Sequence, residues 1–95
     1  MNNVITEKLD VYVEAKKNLW AKEDQYRSLA KRAAGFNQPG HEAQALVSLD
    51  DLLGEVLTAD DIAFEARCAY EIACREAQYD GRVRLRDAVR AELPS

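Results

Sequence analysis

The sequence predicts an all-α fold: a small helical bundle with a long N-terminal helix, a short middle helix and a long C-terminal helix, arranged as an antiparallel hairpin. Only four Gly and two Pro occur in 95 residues, while Ala, Glu, Arg and Leu, all good helix formers, are plentiful. Apolar positions also recur with helical spacing along most of the chain. A chain of this length is expected to form one domain, residues 1–95, around a single modest core.

The first helix is predicted over residues 3–34, because no Gly or Pro interrupts that stretch. Five of its apolar residues stand seven apart, the repeat expected when a long helix packs along another. They are Ile5, Tyr12, Leu19, Tyr26 and Ala33. Asn3 is the expected N-cap, and Gly35 is expected to end the helix. The Pro39-Gly40 pair that follows is typical of the centre of a type II turn.

Two further helix starts share one capping chemistry. Ser48 is followed three residues later by Asp51, and Thr58 is followed three residues later by Asp61. Both resemble a capping box, with Asp in place of Glu, and the negative charge suits the positive end of a helix. The two caps delimit a short middle helix, residues 49–57.

The C-terminal helix is predicted from Ala59 to at least Tyr79. The Asp80-Gly81 pair either ends or kinks it, and an interruption is favoured because Gly is a poor helix former. Beyond this point four apolar residues again share one helical face. They are Leu85, Ala88, Val89 and Leu93. Pro94 is expected to close the last element.

Residues 62–79 divide into two apolar stripes when they are plotted at about 100° per residue. One stripe consists mostly of small residues, which let a neighbouring helix approach closely. Its members are Ile62, Ala63, Ala66, Ala69, Tyr70, Ala73, Ala77 and, at the edge, Cys74. The bulkier stripe contains Phe64, Cys68, Ile72 and Tyr79. Because a surface helix needs only one apolar stripe, two stripes indicate two neighbours. The first is the long N-terminal helix, and the second is either the short middle helix or another molecule.

The N-terminal helix raises a similar question. Lys16 and Glu23 lie near the centre of its apolar stripe, where Leu would be expected. Either their long side chains extend to solvent, or they meet charged residues of a partner helix and fix its register. Trp20 flanks the same stripe and is either a core residue or a binding hot spot.

Charge is distributed unevenly in this acidic chain, whose formal net charge is -4. Residues 1–34 carry a net +2, residues 35–80 a net -8 and residues 81–95 a net +2. Arg82, Arg86 and Arg90 line one side of the final helix. They either bind nucleic acid or complement the helix dipole and dock onto an acidic protein. The acidic balance and the lack of aromatic residues between the arginines favour the protein partner. A further alternative is mimicry of nucleic acid by the acidic segment.

The chain lacks the residue patterns of catalysis and of metal binding. Cys68 and Cys74 are six residues apart on one helix, about 9 Å along its axis and on different faces, which excludes a disulfide. Both are expected to be buried apolar residues. His41 is the one histidine and is expected to be a solvated turn residue, and no HExxH, GxSxG or phosphate loop occurs. The sequence therefore predicts a protein that is not an enzyme and holds no cofactor or metal.

These observations predict a small cytoplasmic protein that acts by protein–protein binding. The N-terminal sequence MNNVITEKLD lacks the pattern of a signal peptide, and no apolar run is long enough to span a membrane. An inhibitor, an adaptor, a regulatory subunit or a homodimer would fit. Small acidic helical inhibitors encoded by phages and plasmids are similar in size and charge. The alternative is a nucleic-acid-binding regulator that uses the C-terminal arginines.

Overall fold

The computed structural model describes residues 3–35 and 39–93, with the backbone alone for residues 39–42. It contains three helices: α1, Asn3–Ala34; α2, Pro39–Glu76; and α3, Arg82–Glu92. No strand occurs among these described residues. The all-α fold class is therefore confirmed.

The bounds of α1 agree with the prediction. Its first half buries an apolar row at the predicted spacing, formed by Ile5, Leu9, Tyr12 and Leu19. Gly35 follows in a turn, where its backbone N–H donates to the Arg32 carbonyl at 3.1 Å. Tyr26 and Ala33, later in the same row, are only half-buried.

One 38-residue helix replaces the short middle helix and the separate C-terminal helix that the sequence predicts. Pro39 is the first residue of α2, a position where the missing N–H has no helical partner to lose. The predicted type II turn at Pro39-Gly40 is therefore wrong, and residues 36–38 lie outside the described part. His41 lies in the first turn of α2 and not in a loop.

Both predicted caps are wrong because the helix runs through them. Ser48 and Thr58 are exposed positions inside α2. Gly54 between them costs about 1 kcal/mol in a helix interior relative to Ala. Continuity, however, lets α2 bury a row of alanines that includes Ala45, Ala59 and Ala63. Tertiary packing of this kind stabilises a helix more than local capping signals do.

Helix α2 ends at a residue other than glycine that adopts a left-handed backbone conformation. Gln78 has a φ of 54°, in the left-handed region. Its N–H donates to the Arg75 carbonyl at 3.1 Å, and the Tyr79 N–H donates to the Cys74 carbonyl at 2.8 Å. These two bonds form a Schellman motif, which usually places Gly where Gln78 stands. The helix therefore ends at Glu76, before the predicted Tyr79.

The predicted interruption at Asp80-Gly81 is confirmed. The Gly81 carbonyl accepts the N–H of Leu85 at 2.9 Å, the first backbone bond of α3. It also accepts the Tyr70 hydroxyl at 2.9 Å, so the start of α3 is fixed to the interior of α2. Pro94, the predicted end of this element, lies outside the described residues.

The core lies along the contact between α1 and α2. One cluster joins Ile5 and Leu9 of α1 to Tyr70 and Ala73 of α2, with α3 packed against it. A second cluster joins Leu19 to Ala59 and Ala63. Residues later in α1 thus contact residues earlier in α2.

The chain is long and thin, with principal extents of 59 × 26 × 15 Å. Helix α3 contacts α1, where Arg84 donates to the Thr6 hydroxyl at 2.8 Å and Lys17 lies 3.6 Å from Glu92. Within residues 3–35 and 39–93, no helix combines the length and the apolar character needed to cross a membrane.

Candidate protein interaction surface

The small-residue stripe of α2 faces α1, as predicted. Ala63, Ala66, Tyr70 and Ala73 are all buried. Ile62, which the sequence assigns to the same stripe, is 51% exposed.

The bulkier stripe of α2 faces solvent. Phe64 is 66% exposed and Ile72 is 53% exposed, while Cys68 is half-buried. Tyr79, which the sequence assigns to the same stripe, lies beyond the end of α2 and is 40% exposed. The alternative in which a middle helix covers these residues is wrong, because that segment belongs to the same helix. Cys68 and Cys74 project to different faces as predicted, but only Cys74 is buried.

The exposed stripe is longer than the sequence predicts. Leu53 and Leu57, which the sequence assigns to a separate helix, are 39% and 57% exposed, and Leu46, which precedes that predicted helix, is 59% exposed. Because α2 is continuous, they lie within about 60° of Phe64 around the helix axis. We call the whole row the outer seam. It consists of Leu46, Leu53, Leu57, Phe64, Cys68 and Ile72, with successive spacings of seven or four residues.

The predicted α1 residues Lys16, Trp20 and Glu23 are all half-buried. Lys16 lines a shallow groove beside Asp61 and Phe64. Trp20 and Glu23 line a second groove, close to the end of α3.

An ion pair between α1 and α2 comes instead from two residues that the sequence does not single out. Lys22 lies 2.9 Å from Glu55. Neither residue lies at the centre of an apolar stripe, so periodicity gave no signal for this contact.

Arginines from two helices converge on one cleft of about 820 Å³ between the end of α2 and α3. Its lining includes the predicted Arg82, Arg86 and Arg90 and, from α2, Arg67 and Arg75. Tyrosine and aliphatic side chains also line it. We call this feature the arginine cleft. Sequence reasoning missed the α2 contribution because it treated the C-terminal arginines as a separate stretch.

Acidic neighbours partly neutralise the arginine cleft. Arg82 donates to both carboxylate oxygens of Asp80, at 3.0 and 2.9 Å. These hydrogen bonds lower the pKa of Asp80 to about 2. Arg67 donates to Glu71 at 3.0 Å. Both pairs are exposed, so they contribute little stability.

Tyr70 has a structural role at the inner side of this cleft. It is 1% exposed, and its hydroxyl donates to the Gly81 carbonyl. Burial, with smaller effects from Cys74, raises the pKa of Tyr70 to about 12. The phenol therefore keeps its proton at neutral pH and acts as a hydrogen-bond donor that secures α3.

The side chains described in residues 3–35 and 43–93 include no cluster of three His, Cys, Asp or Glu suited to a metal ion. Comparison of the chain with known protein families, with curated proteins and with solved structures finds no match in any of the three. By its fold and surface, the described part of the chain is a three-helix protein in which one face of α2 exposes a long row of apolar side chains.

Proposed function

We propose that this chain is an antiparallel, hairpin-like helical bundle that works by binding another protein through the outer seam. It would act in the cytoplasm as an inhibitor, adaptor or regulatory subunit, with no catalysis of its own. The observation that carries the proposal is the exposure of Phe64, Ile72 and Leu57 in a single row on α2.

The outer seam differs from ordinary surface apolar residues. Single exposed apolar side chains are normal on a protein surface, and Val11 on α1, at 57% exposure, is an example. A contiguous apolar row rimmed by charged residues is typical of an interaction site. Full burial of one large apolar side chain is worth about 1.5–3 kcal/mol. Covering the exposed half of each seam residue therefore contributes roughly 1 kcal/mol per residue.

Three variants test this proposal. Ile72→Glu places a charge in the outer seam, and Val11→Glu places the same charge at a matched exposed position on α1. Ala73→Glu places it on the buried face of α2, where Ala73 is 8% exposed. Circular dichroism is expected to show folded Ile72→Glu and Val11→Glu, and Ala73→Glu unfolded or strongly destabilised, because a buried unpaired charge is costly.

Binding is then compared among the folded variants by affinity capture from the native host and by sedimentation velocity. We expect Ile72→Glu to lose protein complexes that the wild type and Val11→Glu retain. Equal binding by the two glutamate variants would refute the outer seam as a docking surface. Unfolding of Ile72→Glu would refute it as well, since the seam would then serve the core.

Nucleic-acid binding is the second candidate, and the convergence of Arg67, Arg75 and three α3 arginines on one cleft favours it. Phosphate contacts by arginine give an affinity that falls steeply as salt rises. The measurement is a mobility shift with single-stranded and double-stranded DNA and RNA at low and moderate salt. Arg86→Glu is the test variant, and Arg27→Glu, at an exposed α1 position, is the matched control. Absence of a shift at low salt would remove this candidate.

A further inference from the structure

The chain exposes more surface than a compact protein of its mass. Its accessible surface is 7024 Å² for 10.7 kDa, whereas a typical folded monomer of that mass exposes about 5,500 Å². The excess is about 1,500 Å² per chain. A standard stable interface removes about 800 Å² from each partner. The excess surface is therefore sufficient for a stable dimer.

The outer seam has the geometry of a helix–helix contact. From Leu46 to Ile72 there are 26 residue-to-residue steps, which is about 39 Å of helix. Its spacings of seven and four residues match the repeat of helices that pack side by side with slight supercoiling. The natural occupant of such a seam is another long helix with a matching row.

The charge along α2 and α3 selects an orientation for that second helix. Residues 43–66 contain six acids and no base, whereas residues 67–92 contain six arginines and five acids. Two copies aligned in parallel would place acid beside acid. Two antiparallel copies place the acidic half of each beside the arginine-bearing half of the other.

We propose that the outer seam pairs with the same seam of a second copy, antiparallel, about a two-fold axis between Ile62 and Ala63. This inference rests on the proposed function, for which it names the partner. In this register Leu53 of one copy lies opposite Ile72 of the other, Leu57 lies opposite Cys68, and Phe64 lies opposite Asp61. By the same symmetry Asp50 faces Arg75, and the contact occurs twice. The arginine cleft at each end then faces the first turns of the other copy's α2.

Charge reversal tests the partner and the register together. Asp50→Arg and Arg75→Asp each place like charges opposite one another in both copies of the contact. Each is expected to weaken self-association about tenfold or more. The double variant restores opposite charges and is expected to return the association to within about threefold of wild type. Circular dichroism confirms that each variant is folded, which the exposure of both positions predicts.

Sedimentation velocity over about 5 to 500 µM measures the association, with twice the 10.7 kDa chain mass as the expected limit. A wild type that stays monomeric over this range overturns the second copy as partner. If Ile72→Glu then still loses a captured protein that Val11→Glu retains, the proposed function stands without this inference. Association that neither single reversal weakens, or that the double variant fails to restore, overturns the antiparallel register.

Discussion

Gly81 is the position where one added methyl group should have the largest effect on the fold. A Cβ there would lie 2.6 Å from the Cys74 Sγ and 2.9 Å from the Tyr70 Cζ, and it would also meet the Tyr70 hydroxyl. Ordinary van der Waals contact begins near 3.4 Å. Because Tyr70 and Cys74 are buried in the core, neither can move into solvent. The backbone of Gly81 has φ -93° and ψ 9°, which Ala also adopts, so the effect arises from close approach alone.

The size of the effect follows from these contacts. Overpacking of a filled site costs about 1–3 kcal/mol. Displacing the Gly81 carbonyl also breaks its hydrogen bond with the Tyr70 hydroxyl, which costs about 1–2 kcal/mol at a buried site. Gly81→Ala is therefore expected to lower the free energy of unfolding by about 2–5 kcal/mol. Urea titration followed by circular dichroism measures this change.

Gly54→Ala is the matched control. Nothing lies within 4 Å of a Cβ at Gly54, which is inside α2. The same change there is expected to stabilise the protein by about 0.5–1 kcal/mol, because Ala forms helix better than Gly. In a Tyr70→Phe background the cost of Gly81→Ala should fall, since the hydroxyl nearest the new methyl is gone. A Gly81→Ala variant within about 0.5 kcal/mol of wild type would refute this reasoning.

Three further predictions concern the junction between α2 and α3. Gln78→Gly is expected to raise the free energy of unfolding by about 1 kcal/mol, because Gly adopts positive φ without a Cβ penalty; a neutral or destabilising result in urea titration would contradict it. The pKa of Tyr70 is raised to about 12. Its contribution to the free energy of unfolding is therefore fully present below pH 10, and about 2 kcal/mol of it is lost as the pH rises towards 12. The same alkaline loss in Tyr70→Phe would show that another group causes it. The pKa of Asp80 is lowered from 3.8 to about 2. Its contribution to the stability of the folded state is therefore present above pH 4 and is lost as the pH falls through 2. Because the pair with Arg82 is exposed, the effect is expected to be small; Asp80→Asn should remove it from an acid titration followed by circular dichroism, and an unchanged titration curve would assign the acid loss to other carboxylates.

The sequence predicts α1 correctly because length, uninterrupted helix formers and a seven-residue repeat all agree. It fails on α2 because local and tertiary signals conflict there. Ser48 and Thr58 have side chains that suit N-caps. The long contact with α1, however, stabilises one unbroken helix, and a single sequence does not reveal that contact. The left-handed Gln78 is missed for a related reason, since the usual signal at that position is Gly.

The continuity of α2 also changes which residues form the candidate surface. A separate middle helix would offer a cover for Phe64 and Ile72, formed by Leu49, Leu52, Leu53 and Val56. Because these residues lie on the same continuous helix, they cannot cover Phe64 and Ile72, and the exposed ones among them extend the stripe into one longer exposed row. Because α2 continues across Gly54, Leu53 and Leu57 lie on the surface and not in an internal contact. A variant that breaks α2 there, Gly54→Pro, should weaken the α1 contact and shorten the seam together, because both depend on the same unbroken helix.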